Sequence, residues 1–272
     1  MPAIQQQTWF ITGCSSGFGE QYLAHLRATG ATILDLDITA PQAELNAKFR
    51  QAVDIYSGVD VLVNNAGYIQ AGTVEESRQE EMQQCLDTNL HGPLNMTRAA
   101  LPHLRSRGKG LLIYMSSQCG FYGEPALSSY CTSAIESLSK ELAWLAPNIK
   151  PLLIEAGIFN TEVMNKINHV PHRVEFWRPL NDACRERSVG NYRNEPGNAE
   201  DLISKIIQIA KGVGIAKGRE IPLWIPFGSD CLEVYREKIN HLNTVVDDWE
   251  EVARSTNFPG HKGPMPRVPV QN

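Results

Sequence analysis

A chain of 272 residues with 42% hydrophobic and 20% charged residues holds enough apolar material for one large α/β domain. Its 25 Lys and Arg against 30 Asp and Glu give a net charge of -5, and basic residues are interleaved with acidic ones, as in Arg185-Glu186-Arg187, which argues against a nucleic-acid partner. No run of eighteen apolar residues occurs, and the first eight residues lack a basic flank and an apolar core, so a cytoplasmic protein with no membrane contact is expected. Cys14, Cys85, Cys119, Cys131, Cys184 and Cys231 are scattered with no C-x-x-C pair, so neither a metal site nor a disulfide framework is expected.

In chain order, apolar runs bounded by turn residues alternate with amphipathic stretches, the pattern of a parallel sheet built from βαβ units. Residues 9–11 read as a first strand, 13–19 as a glycine-rich turn and 20–29 as a helix stopped by Gly30. A second strand is expected at 32–36, a helix at 42–56 and a nearly all-apolar strand at 59–63. Two long helices, 78–107 and 128–146, flank a strand at 111–115, and another strand follows at 152–154. The resulting fold class is α/β, a Rossmann-like doubly wound parallel sheet with helices on both faces. Residues 158–198 are weakly periodic, and a connection of that length is usually a functional lid or disordered. A helix at 199–211, a strand at 221–225 and a helix at 229–254 complete one domain over 1–254, leaving a tail, 255–272, with Pro259, Pro264, Pro266 and Pro269.

Between the first strand and helix stands Thr12-Gly13-Cys14-Ser15-Ser16-Gly17-Phe18-Gly19. Glycines there let the backbone approach a pyrophosphate that the helix N-terminus stabilises. Such a turn alone is a weak signal. Asn64-Asn65-Ala66-Gly67, Asn89, Ser117 and Tyr130 follow it in register, and the set is specific.

On these motifs the chain resembles the short-chain dehydrogenase/reductase family over nearly its whole length. Residues 225–230 and 249–256 resemble the C-terminal end of a microbial, largely fungal, branch. The resemblance implies that Ser117 and Tyr130 hold a substrate carbonyl, that Tyr130 passes a proton and that Asn89 orders a water relay. It implies cofactor contacts from Gly13, Ser15, Ser16, Gly17, Phe18, Gly19, Asn65, Ala66 and Gly67. It also implies a homodimer through the helices at 78–107 and 128–146.

Three departures stand against the family pattern. Where the family has Y-x-x-x-K, this chain reads Tyr130-Cys131-Thr132-Ser133-Ala134, and residues 134–139 look like the usual continuation moved forward by two. Lys140 cannot replace the missing lysine, being about 15 Å along the helix and on another face. Between Gly30 and Asn64 there is room for one strand and helix where the family fits two of each. Asp37 ends either the second strand, as the acidic residue that binds an adenosine ribose, or the third. The second alignment is preferred, because 41–63 then follow the family without a gap, and it leaves a sheet of six strands rather than seven. Glu155-Ala156-Gly157 stands where the family usually has Pro-Gly beside the nicotinamide.

A tyrosine left near its ordinary pKa is ionised to roughly one part in a thousand at neutral pH, equivalent to about 4 kcal/mol against base catalysis. Carbonyl polarisation by neutral Tyr130 and Ser117 survives that loss better. Apolar residues in 158–198, among them Phe159, Met164, Phe176 and Trp177, are expected to cover a hydrophobic small molecule. His169 and His172 read as ordinary loop histidines. Three functions follow, in order of preference. The first is a non-redox isomerase or cyclase of secondary metabolism with no cofactor, or a weakly bound one. The second is an NAD(P)H-dependent ketone or aldehyde reductase with a remodelled cofactor site, and the third a silent binding protein.

Overall fold

A parallel strand buried on both faces needs helices on both, and the chain supplies them in alternation. The computed structural model describes residues 7–26, 32, 34–127, 133–258 and 260. Its first half runs β1 (Trp9–Ile11), α1 (Gly17–Leu26), α2 (Gln42–Tyr56), β2 (Val61–Asn64), β3 (Gln70–Ala71), α3 (Gln79–Leu86), α4 (Gly92–Arg107) and β4 (Gly110–Ser117). There follow α5 (Ser133–Leu145), β5 (Ile149–Ala156), β6 (Asn168–His169), α6 (Arg178–Asn191), α7 (Ala199–Lys211), β7 (Trp224–Phe227) and α8 (Ser229–Ser255).

The main sheet has the order β1-β2-β4-β5-β7, every pairing parallel, and β3 pairs with β6 in a separate two-stranded ribbon. Alternation along each strand builds two cores. Leu62, Leu112 and Leu153 point to one face, against Leu45 and Phe49 of α2 and Met96 and Leu104 of α4. Val61, Val63, Ile113 and Ile154 point to the other, against Tyr22 of α1 and Ile203 and Ile206 of α7. Truncating a fully buried side chain such as Phe49 to Ala costs about 3–5 kcal/mol. Helix α7 shows how local sequence sets an element. The Asn198 side chain accepts from the N–H groups of Glu200 and Asp201 at its start, and Gly212, at φ 63°, ends it in the left-handed region.

Three expectations need correction. The main sheet has five strands among the described residues, not six, with β1 at its edge. Residues 34–37 form no strand. Leu34 and Leu36 pack on the core, and Ile38 is buried there, so this segment contributes apolar side chains, while among the described residues nothing pairs with the outer edge of β1 and Ile33 of the expected strand lies outside them. The helix expected over 78–107 is broken by a π-helical turn, Asp87–His91, that carries Asn89. Finally, 158–198 is not structureless, since it contains β6 and the fourteen-residue α6. No helix among the described residues is long and apolar enough to cross a membrane.

Candidate active site

Strand ends at the carboxyl side of a doubly wound sheet open onto its ligand crevice. Here a cavity of about 740 Å³ lies there, lined by the ends of β2, β4 and β5 and the turn after β1. The turn is fixed by Thr12, whose N–H donates to Val63 O at 3.0 Å and whose hydroxyl oxygen accepts from Asn65 N–H and Ala66 N–H, both at 3.0 Å. The Asn65 amide donates to Thr12 O and Gly13 O, each at 3.0 Å. Gly13 has φ 68°, and a Cβ there would lie 2.7 Å from Ala66 Cα. One built on Gly19 would lie 2.1 Å from Gly13 O, so α1 packs on the turn with no room for a side chain.

Gly13, Ser15, Ser16, Gly17 and Phe18 line the cavity, as do Asn65, Ala66 and Gly67. Gly19 stands behind them as packing. Helix α1 begins at Gly17, so the N–H groups of its first turn lack helical partners and are donors of the kind that can hold an anion. The Asn64 side chain also lines the cavity and is buried, and neither its amide nitrogen nor its oxygen has a partner among the described residues.

Ser117 and Asn89 are brought to the same cavity. Ser117 Oγ, at the end of β4, accepts from Cys119 N–H at 3.2 Å, which leaves its hydroxyl proton to donate elsewhere. Tyr130 lies outside the described residues. Phe159 and Met164 line the cavity, whereas Phe176 and Trp177 are not among its walls. Phe176 is 77% exposed and meets Trp177 edge-on, while Trp177 donates its indole N–H to Glu75 at 2.7 Å. Asp37 is not brought to the cavity either. Its carboxylate accepts from the Thr39 N–H at 2.9 Å and hydroxyl at 2.7 Å, and these bonds hold its pKa below the usual range.

Helix α6 supplies a wall that the sequence reading did not single out as a helix face: Leu180, Ala183, Cys184 and Arg187. Their spacing of three, one and three puts them on one helix face, a usable signal masked by the polar residues between them. Arg187 pairs with Glu124 at 3.2 Å, and both line the cavity. His169, read as a loop histidine, also lines it, and burial lowers its pKa.

Residues 158–198 are pinned beside the cavity by carboxylates. Buried Glu76 accepts from the Arg173 N–H at 2.9 Å, the Val174 N–H at 3.1 Å, the Thr73 hydroxyl at 3.1 Å and the Asn181 amide. Burial alone would raise its pKa, but these donors hold it down to about 2. The Arg173 guanidinium meets both Glu81 oxygens, at 2.7 and 2.8 Å. Glu155 behaves in the opposite way. It is buried on β5, where burial pushes its carboxyl up to about 7 against a lowering bond from Ser116.

Comparison with known proteins agrees with this geometry. The sequence model of the family described as "short chain dehydrogenase" matches residues 23–171. An uncharacterized oxidoreductase of Bacillus subtilis is 33% identical over 56% of this chain and 65% of its own length. An NADPH-dependent pterin aldehyde reductase of Arabidopsis thaliana is 29% identical over 59% of this chain and 78% of its own. A crystal structure of a short-chain dehydrogenase from Streptomyces avermitilis superposes with a TM-score of 0.78 at 25% identity, covering 93% of this chain and 99% of that one.

Proposed function

Because this chain belongs to the short-chain dehydrogenase family, we propose that it is an NAD(P)H-dependent reductase of a hydrophobic ketone or aldehyde, with the adenosine end of the cofactor site remodelled. One observation carries the reading: the glycine turn, the unpartnered Asn64 amide and the Ser117 hydroxyl all open onto one cavity. The relatives' names also favour reduction over the non-redox rearrangement or cyclisation preferred from sequence.

The described residues fit the pyrophosphate and nicotinamide half of the cofactor. The N–H groups from Ser15 to Phe18 would face the phosphates, and Asn64, Asn65 and Gly67 the nicotinamide side. When bound, the nicotinamide would supply a hydride. Among the described residues the adenosine half has no counterpart of the family pocket, since β1 is the edge strand there and Asp37 is engaged with Thr39. Ser117 Oγ, oriented by the Cys119 N–H, donates to the substrate oxygen. Tyr130, which matches the tyrosine of the family motif and lies outside the described residues, gives the proton in this reading. Reduction asks it to donate rather than abstract, which a neutral phenol does without the missing lysine. Phe159 and Met164, with the apolar face of α6, contact a hydrophobic substrate. The same reading includes a cytoplasmic location and a homodimer through α4 and α5.

The test is titration with NADH and NADPH, following nicotinamide fluorescence, and then an assay on apolar aldehydes and ketones. Binding of at least one nucleotide is expected, with Tyr130→Phe and Ser117→Ala each slowing reduction about a hundred- to a thousandfold. No fluorescence change with either nucleotide overturns the reading.

A further inference from the structure

Helix α8 leaves the domain almost at once. Cys231 is its one buried residue among those described, Tyr235 stacks on Phe121 with centroids 4.2 Å apart, and Lys238 lies over the same ring. From 239 to 258 every residue is exposed, so nothing in the described body covers the outer four turns of the helix.

Those turns are not polar all round. Leu232, Tyr235, Ile239, Leu242, Val246, Trp249 and Ala253 recur at intervals of three and four, seven positions of an unbroken heptad seam. Val245 and Val252 widen it on one side, and Trp249, 61% exposed, is its largest member. A seam repeating every 3.5 residues is specific to packing against another helix of matching period. A lipid surface is disfavoured by charge, since α8 carries seven acidic residues against three basic ones, whereas helices that lie on membranes are rich in Lys and Arg.

We infer that the α8 seam pairs antiparallel with α8 of a second copy of this chain. Charge sets the direction. With Leu242 of one helix level with Val246 of the other, Arg236 faces Glu250 of the partner at both ends of the pair, while Asn243 meets its own copy on the two-fold axis. A parallel pair would set Lys238 against Asn243 and Glu250 against Val245, with no opposite charges matched. Arg236 has no ion pair among the described residues, and Glu250 has an exposed contact with Arg254 that it can exchange. From Ile239 to Val252 the apolar members expose roughly 500 Å² per copy, so a pair would bury on the order of 1,000 Å², near the lower bound for a specific interface. The contact is therefore weak and concentration-dependent. It uses a surface separate from α4 and α5, so it stands whether or not those helices also associate.

The experiment reads α8 directly on the full chain. Asn243→Cys is expected to give a disulfide-linked dimer under mild oxidation, well above that formed by the wild-type cysteines or by Thr244→Cys on the outer face. Adding Val246→Asp and Trp249→Asp should abolish the cross-link. In sedimentation equilibrium, Arg236→Glu and Glu250→Arg should each weaken association about tenfold, and the two together should restore it. Equal cross-linking of Asn243→Cys and Thr244→Cys overturns the inference. So does charge reversal without rescue. If Val246→Asp with Trp249→Asp leaves the cross-link intact but abolishes binding to phosphatidylcholine–phosphatidylglycerol vesicles, the seam belongs to a lipid surface instead.

Discussion

The Asn89 side-chain amide pairs in both directions with the backbone of Tyr68, accepting from its N–H at 3.1 Å and donating to its carbonyl at 2.9 Å. It thereby clamps the loop after β2, and Gly67 lies against it so closely that an added Cβ would come within 2.9 Å of Asn89 Oδ1. The π-helical turn aims this amide, because the extra residue in that turn rotates Asn89 out of the regular α-helical register. Asn89→Leu keeps the volume and removes both bonds. Leaving the Tyr68 groups unpaired is expected to cost about 1–3 kcal/mol in urea denaturation and to weaken nucleotide binding through the displaced Asn65–Gly67 wall. Unchanged stability and binding would show the clamp to be dispensable.

The glycines of the turn separate steric from conformational demands. Gly13→Ala adds a Cβ against the Ala66 backbone at a positive φ, and Gly19→Ala adds one against Gly13 O without positive φ. Gly17 has φ 58°, but a Cβ there meets only Thr161, at 3.7 Å. Gly17→Ala should therefore cost only the left-handed strain, about 1 kcal/mol, while Gly13→Ala and Gly19→Ala cost about 2 kcal/mol or more. Thermal denaturation of the three gives the ranking. A Gly17 variant as damaged as the Gly13 variant would contradict it.

Glu76 anchors residues 173, 174 and 181 at once, so its charge state controls how firmly that segment sits. Its folded pKa of about 2 lies below the ordinary carboxylate value, as does that of Glu81, also about 2 through its bonds from Arg173. Groups depressed in this way contribute stability that is present above pH 4.5 and lost as pH falls toward 2. Glu76→Gln should cost about 2 kcal/mol at pH 7, since its amide cannot accept from all four donors. It should also flatten the acid limb and speed proteolytic cleavage within 158–198. Cleavage at the wild-type rate would mean that the segment is held by other contacts.

Much of this architecture was legible because its signals were local. The runs around Leu62, Leu112 and Leu153 are apolar on both sides, as only a buried parallel strand requires, and Gly13, Asn65 and Ser117 announced a strand-end site by their order. Residues 34–37 misled because Leu34 and Leu36 alternate as a strand would. Alternation reports side-chain burial, and it says nothing about whether a neighbouring backbone is there to pair. Phe176 and Trp177 misled similarly, since apolar character does not reveal which way a loop side chain turns. The α6 wall was hidden for the converse reason: only a narrow stripe of a mostly polar helix faces the cavity.

Glu155 supplies the remaining prediction. Its carboxyl is buried on β5, with Oε2 lacking a hydrogen-bond partner among the described residues and with Glu136, Cys231 and Tyr235 as titratable neighbours. Burial raises its folded pKa to about 7, so the folded chain holds this proton after the unfolded chain has released it. The associated stability is fully present below pH 4.5 and is lost as pH rises through 7. Glu155→Gln mimics the protonated form and should remove that slope. Variant and wild type would then match near pH 4.5, and the variant would be more stable at pH 8 by about 3 kcal/mol. His103 and His169, whose pKa values are lowered by burial, push the opposite way, gaining stability as pH rises, but they contribute equally to both proteins. The difference between the two urea-denaturation curves from pH 5 to 8 therefore isolates Glu155. Curves that stay parallel across that window would show that its carboxyl is ionised in the folded protein as readily as in the unfolded one.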